Sequence, residues 1–192
     1  MQPTREQAWE LLNEYTKTPN LIKHALAVEA AMRGYARKYG EDEEKWALVG
    51  LLHDFDYDRW PDPADHPLVG SKILADKGYP EDIIYAIKTH AEYLNLPRNS
   101  RMDKALFAVD ELSGFLTAVT LVRPDKKISS VPVKSVKKKL KDKAFAKSVS
   151  RDDIRRGTAD LGEELGEHIQ FVIDALAEVA EDLGLDGSLA RG

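Results

Sequence analysis

The stretch Trp46-Ala47-Leu48-Val49-Gly50-Leu51-Leu52-His53-Asp54 is an apolar run that closes on an adjacent histidine and aspartate. Such a pair offers an imidazole and a carboxylate on one rigid element, and the carboxylate can bridge two ions. His24, His66, His90 and Asp110 stand around this pair at intervals suited to successive helices. Imidazole nitrogens and carboxylate oxygens together hold borderline cations. The pattern therefore predicts a metal site within a helical protein.

Helical periodicity decides whether these side chains can converge, because residues three, four or seven apart share a face. In the segment from Asn20 to Tyr39, His24 falls on the apolar stripe that contains Val28. An apolar stripe faces the core, so His24 is predicted to point inward. His53 shares a face with Val49 and is predicted to point inward as well.

The remaining candidates lie on later segments. His90 ends an apolar helical pattern, and Asp110 stands four residues before Gly114, whose small size leaves space for ions or substrate beside the carboxylate. His66 precedes Pro67, a residue favoured at helix starts, so its imidazole is expected to enter from a loop or cap.

Inward carboxylates are costly unless they are paired or bound to a cation, which favours metal binding over a purely structural role. The predicted ligands are His24, His53, Asp54, His66, His90 and Asp110. His168 has no comparable carboxylate neighbour and is predicted to be structural. We expect two divalent ions, with iron or manganese favoured by mixed imidazole and carboxylate ligation in a chain without cysteine. Zinc, nickel, cobalt and magnesium are further candidates.

The order His24, His53-Asp54, Asp110 resembles the HD-domain superfamily of metal-dependent phosphohydrolases, over roughly Asn20 to Val122. His66 and His90 resemble the additional ligands of the two-metal, HDIG-like subgroup, and His66-Pro67-Leu68-Val69-Gly70 resembles its His-x-x-x-Gly pattern. The chain departs from the HDIG signature, because Phe55 and Asp56 follow the pair in place of Ile-Gly.

The resemblance implies a phosphomonoesterase or phosphodiesterase that attacks a small phosphorylated metabolite or a nucleotide with metal-activated water. Asp54, Asp58 and Lys72 are the candidate catalytic residues, with Asp58 expected to orient or deprotonate the water. Positive charge near the ligands helps to bind phosphate. The candidate substrate-binding residues are Lys72, Lys88, Arg98 and Arg101.

Two other functions stay open at this point. A few superfamily members of the inositol-oxygenase type use two irons to activate dioxygen, so a diiron oxygenase is one alternative. The other is a non-catalytic module that binds metal or nucleotide. Six ligands for two ions leave coordination positions free, which favours catalysis over a structural site.

Helix caps and the lack of alternating strand patterns predict an all-α fold of seven to nine helices. We expect one domain over 1–192, with an HD-like five-helix core at about 20–122, additional N-terminal helices and a C-terminal helical extension at about 131–185. Segment 126–147 carries nine lysines and one acid, whereas 160–186 carries nine acids and neither lysine nor arginine. Both are predicted to be amphipathic helices, with Ala144 on the first and Leu161 to Leu183 on the second.

Composition agrees with a soluble enzyme. Few aromatic residues interrupt the lysine segment and the net charge of the chain is −5, so we expect no nucleic-acid partner, and the role of the lysine segment stays open. Apolar runs fall short of the roughly 20 residues that cross a bilayer, so we expect no membrane association. The N-terminus lacks a hydrophobic signal region, which predicts a cytoplasmic protein.

Overall fold

The computed structural model describes residues 3–191, so Met1, Gln2 and Gly192 of the predicted domain lie outside the described residues. This part of the chain contains ten α-helices and three short 3₁₀ turns, joined by loops, and it contains no strand. The all-α prediction is confirmed, with more helices than the seven to nine expected. They are α1 (Arg5–Tyr15), α2 (Pro19–Tyr39), α3 (Glu43–Leu52), α4 (Leu68–Asp76), α5 (Glu81–His90), α6 (Arg101–Leu121), α7 (Val133–Leu140), α8 (Arg151–Leu161), α9 (Leu165–Glu178) and α10 (Ala180–Leu183).

The five helices α2 to α6 coincide with the core expected from the resemblance. Helix α2 packs along α3 and α6, and α5 packs against α3 and α6. Asp42 caps α3 by accepting a hydrogen bond from the backbone N–H of Lys45, and Ser100 and Asp103 form a capping box at the start of α6. These caps fix where each helix begins, and therefore which residues face the interior.

The C-terminal segments form more and shorter helices than the sequence predicts. Helix α7 ends at Leu140, so Ala144 lies in an exposed turn and not on the helix. The expected helix from Leu161 to Leu183 is divided among three helices: Gly162, in a left-handed conformation with φ +80°, ends α8, and Val179 separates α9 from α10. A glycine reaches that conformation without the steric cost that a Cβ imposes, so it breaks the periodic pattern. Helix α8 packs on α6, and α9 packs on α2 and α6.

The acidic C-terminal segment pairs mainly with α2. Glu163 contacts Lys38 at 2.6 Å, and Glu178 contacts Arg37 at 2.9 Å. Lys137 does reach Glu164 at 3.4 Å. The complementary charges of the two segments therefore produce fewer mutual contacts than their sequences suggest, and much of the lysine segment faces solvent.

None of the helices within residues 3–191 combines the length and the apolar character that crossing a bilayer requires.

Candidate metal centre

The structure brings the six predicted ligand side chains together from five places in the fold. His24 lies on α2, His53 and Asp54 follow the last residue of α3, His66 precedes α4, His90 ends α5, and Asp110 lies in the middle of α6. Their candidate ligand atoms form two groups, and within each group these atoms lie within 4.8 Å of one another. The first group contains His24, His53, Asp54 and Asp110, and the second contains Asp54, His66 and His90.

In the first group, Asp110 faces two imidazoles. Its Oδ1 lies 3.0 Å from Nε2 of His24 and 3.4 Å from Nε2 of His53. Ligands held about 2.1 Å from one ion are separated by roughly 3.0–3.5 Å, depending on the coordination geometry. The spacing of these atoms thus fits a cation between them.

Asp54 belongs to both groups, because its two oxygens face opposite ways. Oδ2 lies 3.4 Å from Nε2 of His53 in the first group. Oδ1 lies 3.3 Å from Nε2 of His66 and 3.1 Å from Nε2 of His90 in the second. The carboxylate therefore has the orientation of a bridging ligand.

Hydrogen bonds behind the imidazoles turn their Nε2 atoms toward the centre. Nδ1 of His53 donates to the carbonyl of Gly50 at 2.8 Å, and Nδ1 of His90 donates to the carbonyl of Ile87 at 2.5 Å. Nδ1 of His66 donates to Oδ1 of Asp56 at 2.7 Å. A neutral imidazole that donates through Nδ1 carries its lone pair on Nε2. This arrangement orients metal-binding histidines in proteins.

Two local features fit a cation better than a set of hydrogen bonds. The Nε2 atom of His53 is buried and has no hydrogen-bond partner among the described residues. Nε2 of His66 and Nε2 of His90 lie only 3.2 Å apart, which is the separation expected of two ligand atoms on one ion. Imidazole and carboxylate donors with these lone pairs suit a divalent metal ion.

The carboxylates and imidazoles hold one another charged. Burial disfavours the imidazolium of His53, but the carboxylates of Asp54 and Asp110 outweigh this effect and raise its pKa well above the usual value. Burial also lowers the pKa of His66, yet hydrogen bonds to Asp54 and Asp56 raise it to about 9. Burial favours neutral Asp54, whereas the facing imidazoles lower its pKa well below the usual range. In the metal-free protein, protons on the rings thus supply positive charge that a bound cation can replace.

The centre opens into a cavity of about 560 Å³, a size that suits a small organic ligand. Among the described lining residues there is neither lysine nor arginine, and Glu111 is an acidic wall residue that sequence reasoning missed. Its carboxylate accepts a hydrogen bond from the backbone N–H of Ser150 at 2.8 Å. Burial and the neighbouring Asp110 raise the pKa of Glu111 to about 7. The sequence contains no signal for this role of Glu111, because the role depends on a contact with Ser150, which is 39 residues away in the chain.

Asp58 is engaged at the start of α2 and not at the metal centre. Its Oδ2 accepts hydrogen bonds from the backbone N–H groups of Lys17 (2.7 Å) and Thr18 (2.9 Å), and its Oδ1 accepts one from the Thr18 hydroxyl. These hydrogen bonds lower its pKa. Asp58 therefore holds the segment that leads into α2 and lies outside both groups of candidate ligands.

The four predicted substrate-binding cations also lie away from the cavity lining. Lys72 is exposed on α4, and Lys88 is 4.0 Å from Glu81. Arg98 stacks on Phe107 and contacts Glu92 at 3.0 Å. Arg101 lies over the ring of Tyr39. These cations are close to the ligands in sequence but not in space, because Lys72, Lys88 and Arg101 lie on helix faces away from the cavity, and Arg98, in the loop before α6, packs on Phe107.

His168 is buried between α2 and α6. Its Nδ1 accepts a hydrogen bond from the Tyr35 hydroxyl at 2.5 Å, and its Nε2 donates to the carbonyl of Ala108 at 2.9 Å. Burial lowers its pKa, which favours the neutral ring that these two bonds require. This environment matches a packing role.

Helices that deliver imidazoles and carboxylates from separate parts of the chain to one interior point define an all-α protein with a candidate metal centre. Residues 21–114 match the family described as HD domain. Residues 21–114 of this chain therefore form an HD domain, as the residue pattern indicated.

The similar curated proteins include three named Ribonuclease Y. Those of Oleidesulfovibrio alaskensis and Nitratidesulfovibrio vulgaris are 31% and 32% identical to this chain over 99 residues, and that of Desulfotalea psychrophila is 30% identical over 99 residues. Each match covers 50% of this chain and 18% of the relative, so the chain spans less than a fifth of those proteins. No solved structure gives a significant match.

Proposed function

We propose that this protein is a metal-dependent phosphohydrolase whose centre holds two divalent ions. The orientation of Asp54 carries the proposal, since one oxygen faces His53 and the other faces His66 and His90. When bound, such ions lower the pKa of a water molecule and neutralise charge on phosphoryl oxygens.

The chain's own residues would hold and position these ions. His24, His53 and Asp110 complete one group around Asp54, whereas His66 and His90 complete the other. Because the described cavity lining has no lysine or arginine, the ions would be the main positive charge that the reacting phosphate meets. Iron and manganese remain our favoured occupants on ligand chemistry.

The substrate we propose is a phosphomonoester or phosphodiester of a nucleotide or a small phosphorylated metabolite. The cavity volume of about 560 Å³ suits a ligand of the size of a single nucleotide. Relatives named as ribonucleases support a nucleotide phosphoester. We also propose that the C-terminal extension belongs to the same domain as the core, because α8 packs on α6 and α9 packs on α2.

The test compares Asp54→Ala with the wild-type protein after removal of metal and reloading with Mn²⁺ or, without oxygen, Fe²⁺. We expect about two ions per wild-type chain by elemental analysis, and anaerobic hydrolysis of bis-p-nitrophenyl phosphate or of nucleotides. Asp54→Ala removes the carboxylate that the two groups share, so both ions and more than about 100-fold of the turnover should be lost.

Asp58→Ala is the matched control, since it removes a carboxylate four residues further on that contacts the start of α2. It should keep both the metal and the turnover. Hydrolysis that persists in metal-free protein would contradict the proposal. So would an activity that appears only with dioxygen, which would favour the diiron oxygenase.

A further inference from the structure

A basic cavity lies directly beside the candidate active site. It has a volume of about 540 Å³, and its lining includes Lys141, Lys143, Lys147 and Arg155, which we call the basic surface. Val149 lines both this cavity and that of the metal centre. The two cavities therefore meet at the segment that joins α7 to α8, outside the residues that match the HD domain family.

The lysines of the basic surface are free to bind an external anion. Lys141, Lys143 and Lys147 are exposed, and within residues 3–191 no carboxylate lies within 4 Å of their amino groups. Arg155 is partly engaged, at 3.3 Å from Asp152. A concentration of unpaired cations in a protein of net charge −5 indicates a local role for that charge.

Arg151 holds the segment that presents these lysines. Its guanidinium donates to the carbonyls of Ala146 (2.6 Å), Val149 (2.8 Å) and Asp142 (3.1 Å), and also to that of Phe145. Its side chain thus fixes the loop from 142 to 149 to the start of α8. The lysines therefore extend from an ordered turn.

Two tyrosines on the active-site cavity provide a second, independent feature. Tyr57 and Tyr93 line that cavity and are 40% and 47% exposed, among the few large apolar side chains at the surface. The Tyr93 hydroxyl donates to the carbonyl of His66 at 2.5 Å, which holds the ring in place. Exposed aromatic faces beside a basic groove are typical of proteins that stack the bases of single strands.

The acidic groups of the cavity wall do not oppose such a ligand. Arg156 contacts Glu92 at 2.6 Å and Asp153 at 2.5 Å, and Arg98 also contacts Glu92 at 3.0 Å, so each of these two carboxylates has a cationic partner. Glu111 is bound to the backbone of Ser150. The remaining positive potential at this end of the molecule comes from the basic surface.

We propose that the basic surface binds the phosphates of a single-stranded nucleic acid whose adjoining nucleotide enters the active-site cavity and stacks on Tyr57 and Tyr93. This inference rests on the proposed function, because it takes that cavity as the place where a phosphoester reacts. It reverses the expectation of no nucleic-acid partner, which counted aromatic residues along the lysine segment and could not foresee tyrosines arriving from other elements.

An anionic membrane is a less suitable partner for these lysines. The apolar residues of α7 face inward, with Val136 fully buried and Leu140 only 7% exposed. A helix that binds in a bilayer interface needs an accessible apolar face as well as charge. The basic surface lines a cavity that adjoins the candidate active site, and this concave shape suits a strand of linked phosphates better than a flat membrane.

The experiment measures binding of a fluorescent 12-nucleotide single-stranded RNA to the full chain in EDTA, so that turnover does not interfere. The variant K141Q/K143Q/K147Q should bind at least about tenfold more weakly near 0.1 M KCl, and the slope of log affinity against log salt should fall by about 2, for three lost phosphate contacts. The matched control K77Q/K134Q/K138Q removes three exposed charges outside the basic cavity and should change affinity less than about twofold. Circular dichroism checks that both variants fold.

Substitutions of Tyr93 test the stacking. Tyr93→Leu should weaken binding at least about fivefold, whereas Tyr93→Phe keeps the aromatic face and should restore most of the affinity. Equal losses in the two lysine variants would overturn the inference by showing a general charge effect. Lysine-dependent binding to phosphatidylserine vesicles without RNA binding would also overturn it.

A separate measurement keeps this inference distinct from the proposed function. Wild-type hydrolysis of bis-p-nitrophenyl phosphate without RNA binding would overturn the inference and leave the proposed function standing. RNA binding that depends on the three lysines, without any metal-dependent hydrolysis, would support the inference as a binding surface and overturn the proposed function.

Discussion

Asp56 shows how one residue beside the centre can control a ligand. Its Oδ1 accepts the Nδ1 proton of His66 at 2.7 Å, and its Oδ2 accepts the backbone N–H of Gly70 at 2.8 Å. A Cβ added to Gly70 would lie 2.7 Å from the Asp56 carboxylate, so only glycine leaves room for that contact. The spacing from His66 to Gly70 therefore has a physical reason: both residues bind one buried carboxylate.

Gly70→Ala should consequently disturb the second ligand group and spare the first. The displaced carboxylate would release His66, and loss of such an orienting contact lowers metal affinity about 10- to 100-fold. We expect elemental analysis after dialysis to show about one ion per chain in place of two.

Lys72→Ala is the control for this change, because it alters an exposed side chain on the same helix. It should leave the metal content as in the wild type. Full retention of two ions by Gly70→Ala would show that Asp56 does not hold His66 in its binding orientation.

The ligand set and the supporting residues differed in how far sequence could predict them. Helical periodicity placed His24, His53 and Asp110 on inward faces, because that property depends only on local spacing. Asp56 was noted only as a departure from the HDIG signature. Its role depends on a contact with Gly70 that exists only after the loop folds back on α4.

At the scale of secondary structure, the start of α2 depends on a carboxylate from elsewhere in the chain. Thr18 is the N-cap of α2, but its hydroxyl makes no capping hydrogen bond to the helix. Asp58 instead accepts hydrogen bonds from the backbone N–H groups of Lys17 and Thr18 and from the Thr18 hydroxyl. The loop after His53-Asp54 thereby fastens the helix that carries His24.

Asp58→Ala should reduce stability without affecting chemistry. Loss of a helix-start carboxylate typically costs about 1 kcal/mol of unfolding free energy, and Asp58 lies outside both ligand groups. Urea unfolding of the metal-free protein should show this loss. An equal stability for Asp58→Ala and the wild type, together with a large loss of turnover, would instead return Asp58 to the catalytic role expected from sequence.

The C-terminal helices illustrate what periodicity alone cannot provide. The apolar spacing from Leu161 to Leu183 correctly indicated helix, but it continued across the break at Gly162 and so merged separate helices. Segments 126–147 and 160–186 carry opposite charge, yet Glu163 and Glu178 of the second segment contact α2. Long-range partners of charged side chains depend on tertiary packing, which spacing does not encode.

At the scale of the whole molecule, the candidate centre joins parts of the chain that are far apart in sequence. Ligands come from α2, the end of α3, the loop before α4, the end of α5 and α6. The unfolded chain cannot hold them together, so a bound ion should stabilise the folded protein strongly relative to the unfolded one. Nε2 of His53, which has no hydrogen-bond partner among the described residues, is buried and is one of the ligand atoms that such an ion would contact.

Adding Mn²⁺ to the metal-free protein should therefore raise its unfolding temperature. At a free concentration 100 times the dissociation constant, one site contributes about 2.7 kcal/mol, which corresponds to a rise of about 5–10 °C for a chain of this size. Differential scanning calorimetry measures the shift. Asp58→Ala should show the same rise from a lower starting temperature, because its change lies outside the ligand groups, whereas Asp54→Ala should show almost none. A rise of equal size in Asp54→Ala would mean that Mn²⁺ binds elsewhere on the protein, and the centre would then lose its proposed role in holding these helices together.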